Sequence, residues 1–201
     1  MSELKNNNLV LMFCGLMGTG KTTFSKYFAE TFSDYIRINS DDVRRLLGKK
    51  FFDIKDVPEI NAYVYSTAEK ALAEGKGVIF DSALKLKSAR ENPYKVARNA
   101  NVPALVIECK CSPETSINRM SQRKKEDDLH TPTNDPKVYH DYAKMWEDPL
   151  NELDDEDKKH VSLITIDSDK NELKIVKVND YEQEKVVQII NLLKEGLEYF
   201  R

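Results

Sequence analysis

Residues 9–32 read LVLMFCGLMGTGKTTFSKYFAETF, and this stretch decides the fold. Leu9 to Cys14 is a continuous apolar run, the signature of a strand buried on both faces of a parallel sheet. Gly15 to Thr22 then matches G-x-x-x-x-G-K-[ST], the phosphate-binding loop. TTFSKYFAETF continues as an amphipathic helix, so the loop has the strand before it and the helix after it that the motif requires. Gly15, Gly18 and Gly20 let the backbone curl until successive N–H groups point inward at phosphate oxygens. The helix N-terminus adds partial positive charge. On this reading Gly15, Leu16, Met17, Gly18, Thr19, Gly20, Lys21, Thr22 and Thr23 form the nucleotide site. Lys21 is the mobile cation for the β- and γ-phosphates, expected to face solvent in the empty loop, and Thr22 offers its hydroxyl to Mg²⁺.

The rest of the chain alternates short apolar runs with longer helical ones, the pattern of βα units building a parallel sheet. Strands are expected at Tyr35–Ile38, Val78–Phe80, Ala104–Cys109 and Val161–Ile166. A sixth, Glu172–Val178, is expected to form a hairpin with the fifth across Ser168–Asn171. Helices are expected at Asp41–Leu47 behind a Ser40 cap, at Glu59–Glu74, at Ala89–Ala100 with Pro93 in its first turn, from Pro113 behind a Ser112 cap, at Lys137–Trp146 and at Tyr181–Tyr199. Together these define a three-layer α/β P-loop fold of the nucleoside-kinase kind, a mostly parallel sheet of about five strands with a C-terminal hairpin and helix. A single domain spanning residues 1–201 is expected, with a polar lid over about 123–136.

Composition sets bounds. The chain is 32% charged and 40% hydrophobic, as expected of a soluble globular protein. A formal net charge of -3 argues against indiscriminate coating of nucleic acid. Cys14, Cys109 and Cys111 form no zinc pattern, and two of them lie in apolar runs, which points to reduced core thiols in the cytosol. The first apolar run is too short to span a bilayer, so a cytoplasmic protein without a membrane partner is expected. His130, His140 and His160 are scattered and read as surface residues. Oligomeric state is not legible.

In open α/β sheets ligands bind beyond the carboxyl ends of the strands. There the first strand ends in the loop, the second in Asn39-Ser40-Asp41-Asp42 and the third in Asp81-Ser82. Asp41 and Arg44, three apart, share a helix face and reach one pocket. Asp81 closes VIFD, an apolar strand delivering a carboxylate in the manner of a Walker-B aspartate. Arg119 and Arg123 lie four apart where the lid begins.

With the loop, NSDDVRRLLG resembles the P-loop kinases that include polynucleotide 5′-hydroxyl kinases and their zeta-toxin-like and small-molecule relatives. The resemblance runs over about residues 9–150. It implies an ATP- and Mg²⁺-dependent phosphotransferase in which Asp41 takes the proton of the attacking hydroxyl and Arg44 binds substrate or the transferred phosphoryl. Asp42 competes for the role of base. Asp81 serves either the metal or, as in the resembled family, the substrate. Arg123 at the lid root would neutralise the spreading phosphoryl charge, with Arg119 behind it. No Asn/Thr-Lys-x-Asp element is present, which favours ATP over GTP. The acceptor best implied is a nucleic-acid 5′-hydroxyl. Two basic stretches, Arg44-Arg45 with Lys49-Lys50 and Lys85, Lys87 with Arg90, are expected to flank its cleft. The rivals are a small-molecule kinase (adenylyl sulfate, a sugar acid or an antibiotic) and a slow ATP-dependent switch.

Overall fold

The computed structural model describes residues 8–49, 53–122 and 135–199. Six strands, β1 (Val10–Cys14), β2 (Tyr35–Asn39), β3 (Gly77–Asp81), β4 (Ala104–Lys110), β5 (Val161–Asp167) and β6 (Glu172–Lys177), form one sheet in the order β2-β3-β1-β4-β5-β6. The first five run parallel, and β6 pairs antiparallel with β5 as the exposed edge. Every residue of β1 and β3 is buried, as a central parallel strand covered on both faces requires.

Successive side chains of a strand point to opposite faces, so the core divides in two. Val10, Met12 and Cys14 face one helical layer, α3 (Val57–Ala73) and α4 (Lys87–Asn99), through Ile60, Val64, Ala68, Tyr94 and Ala97. Leu9, Leu11 and Phe13 face the other, α1 (Lys21–Thr31) and α7 (Gln183–Tyr199), through Phe24, Phe28, Val186, Ile189 and Ile190. The three-layer α/β arrangement follows. Three shorter helices, α2 (Ser40–Leu46), α5 (Pro113–Ser121) and α6 (Pro136–Ala143), sit at the carboxyl ends of the strands. Among the described residues no helix is long and apolar enough to cross a membrane.

Several local readings are corrected. The cap of α2 is Asn39, whose Oδ1 accepts from the N–H of Asp41 at 2.9 Å and Asp42 at 3.1 Å, and Ser40 is the first helical residue. Helix α4 starts at Lys87, two residues early, because its first N–H donates to Glu147, sixty residues away, rather than to a local cap. Pro93 therefore lies inside the helix, not in its first turn. His160 is half-buried, its Nε2 3.2 Å from the carbonyl of Tyr94. Helix α6 ends at Ala143, short of Trp146.

Candidate active site

The loop between β1 and α1 is held by contacts only glycine permits. Gly15 (φ 142°) and Gly18 (φ 79°) lie in the left-handed region, and a Cβ there would sit 2.3 Å from the carbonyl oxygen of Cys109 and 2.6 Å from that of Ser116. Thr19, buried, donates to the carbonyl of Leu16 at 2.9 Å and braces the curl. Helix α1 begins after Gly20 without a side-chain cap and with no acidic residue in its first turn, so its N–H groups and dipole are directed at an incoming anion. Lys21 is folded across the loop instead of facing solvent. Its Nζ donates to Gly15 O at 3.0 Å and Leu16 O at 2.7 Å, because the curl turns those carbonyls toward the ammonium. Thr22 and Thr23 are exposed at the start of the helix, and Leu16 and Met17 are half-buried in the loop.

Register places the ends of β2 and β3 side by side, Asn39 opposite Asp81. Asp81 is 1% exposed, and its two oxygens have different partners. Oδ2 accepts from Arg37 Nε at 3.0 Å, from Arg37 Nη2 and from Asn39 Nδ2 at 3.1 Å. Oδ1 accepts from Thr22 Oγ1 at 3.4 Å. A carboxylate oxygen and a hydroxyl side by side are hard donors of the kind Mg²⁺ takes, so the residues fit that ion. Sequence reasoning passed over Arg37. The signal was a cation two residues before Asn39 in YIRIN, on the same face of the strand.

The neighbouring carboxylates Asp41 and Asp42 are separated by their partners. Asp42 bridges Arg37 Nη1 at 2.9 Å and Arg45 Nη1 at 2.8 Å. Asp41 has Arg44 Nε 3.9 Å from its Oδ1, on the adjacent turn of α2. Burial first, and the charge of Asp41 second, push the Tyr142 phenol up to about 12. Arg44 and Tyr142 line a cavity of about 430 Å³ whose apolar floor is Ile60, Val64, Phe80 and Leu84. The cavity meets the loop through Gly15, whose N–H donates to Ala83 O at 3.2 Å.

The remaining predicted residues fall out unevenly. Arg119 reaches the loop from α5, its Nη1 donating to Gly18 O at 3.1 Å and to Ser168 Oγ at 2.8 Å. Arg123 and lid residues 123–134 lie outside the described residues, as does Lys50. The two basic stretches do not present a row of unengaged cations. Arg45 pairs with Asp42, Lys49 with Asp56 and Glu59, and Lys87 with Asp155. Arg90 is wholly buried against Glu152. Lys85 lies over the Tyr142 ring, 4.0 Å from its centroid.

A family model described as an AAA domain matches residues 10–142, more than half of the chain. No curated protein matches the chain. Among solved structures, the Pnkp1/Rnl/Hen1 RNA repair complex is 18% identical with a TM-score of 0.58, covering 69% of this chain and 43% of that one. This chain thus spans less than half the length of that relative. Kti12 of Chaetomium thermophilum, in complex with ADP-AlF3, is 16% identical with a TM-score of 0.58, covering 92% of this chain and 98% of that chain. A candidate kinase from Chloroflexus aurantiacus j-10-fl is 18% identical with a TM-score of 0.60, covering 92% and 98%. The chain belongs to the AAA-domain family, and its fold is the one shared by P-loop kinases.

Proposed function

We propose that this protein is an ATP- and Mg²⁺-dependent kinase that moves the γ-phosphoryl group to a hydroxyl of an acceptor seated in the cavity beside α2. The observation that carries the reading is Arg44, a buried cation on the wall of a cavity that adjoins the glycine loop, with the carboxylate of Asp41 3.9 Å from its Nε. A nucleotide-driven switch needs no such base next to a pocket. The loop N–H groups and Lys21 hold the phosphates, Arg119 keeps Gly18 in place, and Arg123 serves the transferred group from the lid. Asp41 takes the hydroxyl proton, and Arg44 neutralises charge as it spreads. Thr22 and Asp81 would hold Mg²⁺, which supplies charge neutralisation across the β- and γ-phosphates when bound. The protein positions and neutralises, and performs little covalent chemistry of its own.

The cavity also bears on the acceptor. Its floor is apolar, and the neighbouring cations Arg45, Lys49, Lys87 and Arg90 already have carboxylate partners. That supports a compact acceptor with a flat or apolar body. The second reading is a nucleic-acid 5′-hydroxyl whose terminal nucleoside enters the cavity, favoured by Arg44 and Lys85 on its wall. Incubation with γ-labelled ATP and a panel of small alcohols, nucleosides and 5′-hydroxyl oligonucleotides tests both. A polynucleotide acceptor predicts affinity falling with salt at a log–log slope near ~0.7 per phosphate contacted. A compact acceptor predicts a flat response. ATP hydrolysis with no labelled acceptor from any class would reject the kinase.

A further inference from the structure

Arg37 is the hub of four elements. From β2 its guanidinium reaches Asp81 of β3, Ser25 Oγ of α1 at 3.1 Å and Asp42 Oδ2 of α2 at 2.9 Å. Its side chain is 14% exposed, so this is an enclosed cation and not a surface one. Together with Asn39 it occupies Oδ2 of Asp81 and leaves Oδ1 to Thr22. We infer that Arg37 is a positioning residue that keeps the Thr22–Asp81 pair from holding a divalent cation until a nucleotide phosphate chain supplies further negative charge. The inference rests on the proposed function only in taking Thr22 and Asp81 as the cation's ligands.

The physical case is one of charge balance. Asp81 alone would be a buried carboxylate in low dielectric beside a hydroxyl, which draws in a hard cation strongly. Arg37 with Asp81, and Arg45 with Asp42 beside them, bring the cluster to zero net charge, so a divalent ion entering alone loses its water and gains little in return. Phosphates seated on the loop add negative charge on the other side of the Thr22 hydroxyl and reverse the balance. Asp42 holds the guanidinium at Nη1, away from Asp81, and Ser25 shares the Nε–H with Asp81, so it does not swing out to make room. The same clamp fixes the carboxylate rotation, so that Oδ1 and no other atom meets Thr22. Cation and nucleotide therefore enter together.

The test reads metal binding directly, with neither nucleotide nor acceptor present. Mn²⁺ is titrated into the full chain and its free signal followed by electron paramagnetic resonance, with thermal melting followed in parallel. Wild type should bind Mn²⁺ weakly, and Arg37→Gln should bind it at least about tenfold tighter. Arg37→Gln/Asp81→Asn should lose that gain, and Arg37→Lys, which keeps the charge, should stay weak. Equal or weaker binding by Arg37→Gln overturns the inference, as does a gain that survives in the double variant. If Arg37→Gln is unfolded by its uncompensated carboxylate, saturating Mn²⁺ should refold it, and a variant that stays unfolded also overturns the inference. A protein that transfers no phosphoryl group at all would still show this pattern, so the two proposals fail separately.

Discussion

Glu152→Ala should be among the most damaging single changes outside the phosphate loop. Arg90 is wholly buried, and its donors go to Glu152 Oε1, to Leu84 O at 2.7 Å and to Glu147 O at 2.8 Å. Tyr94 Oη donates to the same Oε1 at 2.9 Å, and burial together with Glu152 holds that phenol protonated. Removing Glu152 leaves a guanidinium in the core with no counter-charge, a change that costs about 3–5 kcal/mol. In a chain of this size about 2–4 °C of Tm accompanies each kcal/mol, so Tm should fall by about 6–20 °C. Arg90→Met/Glu152→Leu should recover much of that loss, since paired apolar replacements of similar volume are often near neutral. It should not recover all of it, because the carbonyls of Leu84 and Glu147 lose their donor. Urea unfolding of Arg90→Met, Glu152→Leu and the double gives the coupling energy. Leu84 is held at φ 45° and forms part of the cavity floor, so the acceptor KM should rise in the double variant while the ATP KM stays put. A Glu152→Ala protein within 1 kcal/mol of wild type would refute the reasoning, as would single costs that simply add.

Lys21→Ala should abolish phosphoryl transfer and change the melting temperature little, because its Nζ bonds loop carbonyls and the side chain packs in neither core layer; normal turnover by the folded variant would remove the loop from the mechanism. Asp41→Asn should retain ATP binding, measured by calorimetry, and lose about 10²–10⁴-fold in transfer rate. Asp42→Asn should lose less in rate and more in stability, since it releases both Arg37 and Arg45; the reverse pattern would make Asp42 the base. His160 has its pKa lowered, by burial above all, so the folded state binds its proton less readily than the unfolded state. Stability should therefore be full above the ordinary histidine range and decline as pH falls through about 6.5, and His160→Gln should flatten that part of a urea-midpoint profile.

The parts legible in the sequence share one property, that their partners are near in the chain or fixed by period. Leu9 to Thr31 contains its own strand, loop and helix, so this unit could be read directly. The β5–β6 hairpin was legible from alternation and a polar turn, which Asp167 Oδ1 closes by accepting from the N–H groups of Asp169 and Lys170. What escaped was decided at long range. Arg90 followed Lys85 and Lys87 in a string that looks like a groove wall, yet its counter-charge lies sixty-two residues on, at Glu152. The start of α4 escaped for the same reason, because Glu147 caps it from outside. Arg37 escaped because its acceptors, Asp81 above all, come together only when β2 pairs with β3.

The choice between Asp41 and Asp42 shows what that long-range information adds. Adjacent residues on a helix point about 100° apart, so two carboxylates side by side cannot share a face. Spacing alone leaves open which of them meets the cavity. Arg37 separates them through β2–β3 pairing, because its guanidinium, anchored on Asp81, offers its remaining nitrogen to Asp42 and ties that carboxylate to the sheet. Asp41 is left beside Arg44, one turn on, whose side chain lines the cavity. The residue inferred to govern cation entry is thus also the one that sets the proposed base apart from its neighbour. Altering Arg37 should accordingly disturb both metal binding and proton transfer, whereas altering Asp42 should disturb the second only through the lost hold on Arg37.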